Sequence, residues 1–176
     1  MERRNADYIL RHASFNPVDI VTSIGSGPGI VESYIAKNIV GKGRVTCVDI
    51  SHKMNLEAGR LRAKSSAGNL GIITGSAKKL PIMGGTQDKV LLIGSTLASR
   101  DLASILTESR RVIKNNSSAR LILLETMDTV REAQAIIQGL RLAGFEVLHR
   151  EALQHNLTGQ IHLRTTAKPI GGLEEH

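Results

Sequence analysis

A β-branched run, a glycine-dense break and a helical pattern follow one another early in the chain. This succession constrains the fold more than any other feature. Val18-Asp19-Ile20-Val21-Thr22-Ser23-Ile24 is bounded by Pro17 and Gly25, which predicts a strand. Gly25-Ser26-Gly27-Pro28-Gly29 ends it. A helix is predicted next, with Ile30, Val31, Tyr34, Ile35 and Ile39 on its apolar face. Glycines at such a break let the backbone turn sharply and let a ligand approach where a Cβ would block it. The following strand ends on Asp49, 20 residues after Gly29. A carboxylate there can accept hydrogen bonds from both hydroxyls of a ribose. Loop and carboxylate together imply an adenosine-type ligand across the carboxyl ends of the first two strands. The third glycine of a dinucleotide fingerprint would fall on Ile30, so the spacing suits a ligand with no pyrophosphate at the helix start. No Gly-Lys-Ser/Thr follows the loop, which excludes a P-loop.

The rest of the chain alternates short apolar runs with helical periodicity, the pattern of an α/β domain with a mostly parallel sheet. Further strands are expected at Arg44–Ile50, Leu70–Thr74, Lys89–Ile93 and Ala119–Leu124. A helix capped by Ser51 runs to about Ala67, and a long loop spans Gly75 to about Gln87. Leu102, Ile105, Leu106, Val112 and Ile113 mark another helix, followed by a turn at Asn115–Ser118. Val130, Ala133, Ile136, Ile137 and Leu140 mark the last helix, stopped by Gly144. Phe145–Ala152 and Gln160–Thr166 read as two closing antiparallel strands around a polar loop, Leu153–Gly159, and the tail after Pro169 reads as loose. A length of 176 residues fits one domain, taken as 1–168 with 169–176 as the tail. No apolar run approaches the ~20 residues of a membrane span, and Met1–Asp7 lacks an apolar signal core. Cytoplasmic placement is expected, with no membrane partner.

Here the sequence resembles the class I S-adenosylmethionine-dependent methyltransferases, over roughly Ile9 to Lys168. Val21–Gly29 looks like the family's first motif. Gly43–Ser51, followed by Met54 and Ala58, looks like its second region. Gly75-Ser76-Ala77, Leu80-Pro81 and Asp88 look like the adenine loop and the start of strand four. Ser109–Lys114 resembles the stretch before strand five, and Ala143–Val147 the lead into strand six. The resemblance implies a doubly wound, Rossmann-like sheet of seven strands in the order 3-2-1-4-5-7-6, with strand seven antiparallel. It implies S-adenosyl-L-methionine as cofactor, held by Ser23, Gly25, Ser26, Gly27, Gly29, Asp49, Ile50, Ser76, Ala77 and Gly94.

Three departures from the family pattern stand out. Ser23 replaces the acidic residue two positions before the first glycine. Ser76 stands where an Asp often meets the adenine amine, and Asn115-Asn116-Ser117 replaces Pro-Gly-Gly. A serine can still hydrogen-bond an ammonium or an amine, but without charge. Two readings follow: a methyltransferase, or an interaction module of the same fold with weakened or lost cofactor binding.

Methyl transfer asks mainly for proximity and alignment, and no catalytic dyad is legible. Gly94-Ser95-Thr96-Leu97 lacks the (Asp/Asn)-Pro-Pro-(Tyr/Phe) element of amino-directed nucleic-acid enzymes. Cys47, the single cysteine, lies mid-strand and reads as an inert thiol, which sets cytosine-C5 chemistry aside. His52 reads as a solvated helix start, and His149, His155 and His162 lack carboxylates at ligand spacing, so no metal is expected. His12 could reach the pocket from the N-terminal segment, but is not counted in it. Lys78-Lys79 reads as a solvated pair. Glu125, Ser95 and Thr96, at the ends of strands five and four, are candidates for the acceptor side. The short N-terminal segment leaves the site lidless, suiting a large acceptor or a homo-oligomer that covers the pocket. Net charge is +7, spread without a block, which reads as a solvated basic surface or as a match for an anionic acceptor: an acidic small molecule or RNA. Small family members acting on acidic corrin precursors share the short N-terminus. Aromatic residues are only 2%, poor material for stacking on bases.

Overall fold

The computed structural model describes residues 3–94, 101–154 and 160–171, with the backbone alone for 3–7, 153 and 154. The elements are α1 (Arg3–His12), β1 (Ile20–Ile24), α2 (Ile30–Asn38), β2 (Arg44–Asp49), α3 (His52–Ser65) and β3 (Leu70–Thr74). They continue with β4 (Lys89–Ile93), α4 (Leu102–Val112), β5 (Arg120–Met127), α5 (Val130–Leu142), β6 (Phe145–Gln154) and β7 (Ile161–Pro169). The strands form one seven-stranded sheet in the order β3-β2-β1-β4-β5-β7-β6. β7 runs antiparallel to both β5 and β6, while the other pairings are parallel. This is the Rossmann-like methyltransferase topology that the resemblance implied.

Both faces of the sheet are covered, so its central strands are mostly apolar, with Thr22, Ser23 and Lys89 as buried polar exceptions. Leu121 and Leu123 of β5 pack with Val90 and Leu92 of β4 under α4 and α5. Ile122 and Leu124 face the other way and share a core with Val21, Cys47, Leu91 and residues of α1 and α2. Alternation along β5 therefore serves two cores at once. Local signals set the helix starts. Ser51 caps α3, its hydroxyl accepting from the Met54 amide at 3.4 Å. Thr129 and Glu132 form a reciprocal capping box on α5. Before β5, the Asn116 side chain accepts from the Ser118 and Ala119 amides at 3.1 and 2.8 Å. An asparagine turn thus does the work of Pro-Gly-Gly.

The sequence expectation holds only in part at α2: Ile35 is buried and Val31 and Ile39 pack against the core, but two members of the expected face do not. Ile30 and Tyr34 are 58% and 51% exposed, whereas Glu32, Ser33, Ile35 and Ala36 are buried. A hydroxyl on β1 explains the rotation. Ser23 faces α2 and donates to the Glu32 carboxylate at 2.6 Å, so the helix turns a polar residue inward to satisfy it. Strand β1 begins at Ile20, two residues later than its apolar run suggests. Asp19 instead closes a turn, accepting from the Asn16 amide at 2.8 Å. Its other task is to pair with Lys89, which is 1% exposed at the start of β4. Among the described residues, no helix is long and apolar enough to cross a membrane.

Candidate functional site

Three glycines give the loop after β1 its shape. Gly25, Gly27 and Gly29 all have positive φ, at 67°, 55° and 72°, a region other residues rarely adopt. Gly29 is also confined in space. A Cβ there would lie 3.2 Å from Cys47 Sγ and 3.3 Å from Ala58 Cβ. The loop therefore lies flush against β2 and α3. It is tied to β2 by the Gly25 and Ser26 amides, which donate to the Val48 carbonyl at 2.8 and 3.3 Å.

Asp49 holds the other side of the loop. Its Oδ2 accepts from the Gly27 amide and its Oδ1 from the Ser51 amide, each at 2.8 Å. One carboxylate thus straps the glycine loop to the start of α3. Each oxygen keeps a further lone pair for a ligand hydroxyl. Behind it, Asn55 Nδ2 donates to the Asp49 carbonyl at 3.1 Å and to Thr74 Oγ1 at 2.9 Å, locking the ends of β2 and β3 together.

These elements enclose a cleft of about 430 Å³ at the carboxyl ends of the strands. That is within the usual range for a small-molecule site. Of the residues expected from sequence, Gly25, Asp49, Ile50, Ser76, Ala77 and Gly94 line it. Ile50 is 75% exposed and offers an apolar face at the rim. Ser26, Gly27 and Gly29 shape the loop beside it. Ser23 is placed elsewhere: it is fully buried beneath the loop, against Glu32. Lys78 and Asp101, not expected as lining residues, face each other across the cleft with Nζ 3.2 Å from Oδ2. Asp101 went unread because it comes from α4's start, which no sequence motif connects to the loop.

Glu32 also escaped the sequence pattern. It lies among apolar residues, and among the described residues its Oε2 has no hydrogen-bond partner. Burial pushes its carboxyl above the usual range, opposed by the Ser23 hydroxyl. The neutral acid is therefore favoured in the fold. A folded pKa above the unfolded value means the unfolded chain releases the proton first, so stability falls as pH rises. The expected loss begins near pH 4.5, the ordinary carboxyl value, and continues through the raised folded one. Denaturant unfolding across pH should show this slope, and Glu32→Gln should flatten it. At low pH, where the neutral acid is fully populated, Glu32→Ala should cost about 1–3 kcal/mol by orphaning the Ser23 hydroxyl, and the cost should shrink as pH rises. An unchanged slope in Glu32→Gln would contradict this. Nearby, burial pushes the Cys47 thiol up to about 12. The thiol is buried and is no nucleophile.

A second, smaller cleft of about 110 Å³ opens where β4 and β5 end and β7 begins. Gly94 lines both clefts. Glu125, Thr126, His162 and Arg164 supply the polar lining, with Thr126 Oγ1 and His162 Nδ1 3.1 Å apart. Ser95 and Thr96 lie outside the described residues, as does His155. His52 and Lys79 are exposed. His12 packs against β6 instead of approaching the first cleft.

A family described as methyltransferase domain matches residues 21–116, which hold the loop, Asp49 and the cleft's other walls. The chain belongs to this family. It is a methyltransferase of the S-adenosylmethionine-dependent class. Among solved structures, the methyltransferase resembles the cyclase SpnF with a TM-score of 0.84 at 15% identity, over 96% of this chain and 82% of that one. It resembles geranyl diphosphate C-methyltransferase from Streptomyces coelicolor A3(2), crystallised with Mg2+, geranyl diphosphate and S-adenosyl-L-homocysteine. There the TM-score is 0.79 at 13% identity, over 95% of this chain and 79% of that one. A SAM-dependent methyltransferase from Aquifex aeolicus gives 0.76 at 18% identity, over 92% and 89%. At such identities the likeness is one of fold, and a cyclase among these structures shows that the fold serves more than one chemistry. No curated protein matches the sequence.

Proposed function

We propose that the larger cleft binds S-adenosyl-L-methionine and that the methyltransferase transfers its methyl group to an acidic small molecule in the smaller cleft. The observation that supports this is the sharing of Gly94 by the two clefts, so that a donor in one would lie next to an acceptor in the other. The residues present fit the cofactor. The loop leaves no Cβ in the way, Asp49 offers free lone pairs to a ribose, and Ser76 with Ala77 forms the opposite wall. When bound, the cofactor supplies an electrophilic methyl group on sulfur. The chain holds the two reactants in line, which is where most of the rate gain arises. Glu125, 7% exposed and two residues before the end of β5, lines the smaller cleft and would take a proton from an acceptor that carries one.

The acceptor's charge is read from its surroundings. Arg164, which also pairs with Glu151, and His162 edge the smaller cleft together with Glu125, so the anionic preference rests mainly on the chain's net charge of +7. Scarcity of aromatic side chains favours a small acid over RNA, the second reading that the same charge allows. The test uses S-adenosyl-L-methionine labelled in its methyl group, offered with a panel of polycarboxylic acids and, separately, with total RNA. Label should appear on a polycarboxylic acid, and added salt should reduce the rate. Label on RNA alone would replace the acidic acceptor with the second reading. No transfer to either, from a protein shown to bind the cofactor, would overturn the proposed acceptor class.

A further inference from the structure

We propose that His12, His149 and Glu151 form a zinc-binding site that fastens α1 to the outer edge of the sheet. Their ligand atoms lie within 4.8 Å of one another, on elements from opposite ends of the chain. His12 is the last residue of α1. His149 and Glu151 belong to β6, the edge strand.

A β-bulge brings them together. On β6, Val147 stands opposite Ala167 and His149 opposite Thr166, so Leu148 is the extra residue. Before the bulge, odd-numbered residues face α5: Phe145 and Val147 pack in that core. After it they face α1: Glu151 stands opposite Arg164, and His149 lies against Tyr8 and His12. Without the extra residue, His149 and Glu151 would point to the opposite face of the sheet. Bulges that re-aim side chains in this way are built features of a fold.

The local geometry suits a tetrahedral ion. His149 Nε2 and Glu151 Oε1 are 3.4 Å apart, long for a hydrogen bond. Two ligand atoms each about 2.0–2.1 Å from a tetrahedral zinc are separated by about 3.4 Å. The His12 ring stacks on His149 with centroids 4.0 Å apart and offers a nitrogen within 4.8 Å of the other two ligand atoms. The supporting shell is also present. Arg164 Nη1 lies 3.3 Å from the other Glu151 oxygen and fixes the carboxylate. Tyr8 packs against both rings and meets Thr166 at 3.2 Å. Two imidazoles and one carboxylate are a zinc donor set, leaving one position for water. Four strand spacings, ~19 Å, separate β6 from β1 and the glycine loop, so this site stands apart from the cofactor cleft.

The test is calorimetric titration of the untagged protein with zinc chloride, followed by thermal melts. One zinc should bind per chain at micromolar concentration or below, and should raise the melting temperature. His149→Ala and Glu151→Gln should each weaken binding at least tenfold and cancel the thermal shift. Unliganded melts confirm that each variant is folded, and Glu151→Gln keeps the size of the side chain. His52→Ala, far from the cluster, should bind as the parent does. Absence of binding at 100 µM zinc, or binding that survives both cluster variants, would overturn the proposal.

Discussion

Asp49→Ala is expected to weaken binding of S-adenosyl-L-methionine at least tenfold, ~1.4 kcal/mol. Two losses combine. The ribose hydroxyls lose a charged acceptor, and the Gly27 and Ser51 amides lose the oxygens that hold them at 2.8 Å. The second loss loosens the loop before any ligand arrives, so part of the binding energy must be spent on reordering it. Asp49→Asn separates the contributions. Its side chain has one acceptor oxygen and one NH2, so it can satisfy one amide while opposing the other. Its affinity should fall between those of the parent and Asp49→Ala. Equal affinity in all three proteins, measured by calorimetry, would remove Asp49 from the site.

A larger cost to stability is expected from Asp19→Ala. Lys89 is 1% exposed, and its ammonium is held by Asp19 at 3.5 Å and by the Ser118 carbonyl at 2.7 Å. Burial draws its pKa below the usual lysine value, opposed mainly by the Asp19 charge. Removing the carboxylate leaves a buried cation without its counter-charge, which costs about 3–5 kcal/mol. In a domain of this size that lowers the melting temperature by roughly 6–20 °C. The pair itself need not add net stability. Replacing both partners, as in Asp19→Ala with Lys89→Met, should recover much of the loss. By contrast, the exposed Arg60–Glu57 pair should be worth no more than ~1 kcal/mol. A melting temperature unchanged by Asp19→Ala would refute the coupling.

The frame of this methyltransferase is legible because its signals are local. A β-branched run before glycines, a capping serine at 51 and a buried strand at Lys89–Ile93 each follow from neighbouring residues. So does the glycine loop with its strand-end Asp49. What escaped depends on contacts between distant residues. Glu32 reads as a solvated helix residue until Ser23 is seen facing it across the β1–α2 gap. The apolar stripe Ile30–Tyr34 then misleads, because satisfying one buried hydroxyl sets the helix's rotation. Asp101 reaches the larger cleft only through the packing of α4. The His12–His149–Glu151 cluster depends on a single extra residue in β6, which no periodicity count reveals. These three missed features have a physical kinship: each is a polar group whose partner lies on another element.

The serines at positions 23 and 76 make cofactor binding the central question. The Asp49 strap holds the glycine loop, while Ser23 at the expected acidic position is engaged with the buried Glu32. Calorimetric titration of the purified protein with S-adenosyl-L-methionine tests this most directly. One site per chain with micromolar affinity is the predicted result. No heat of binding with millimolar S-adenosyl-L-methionine or S-adenosyl-L-homocysteine would contradict it, leaving the fold as an interaction module that has lost its cofactor.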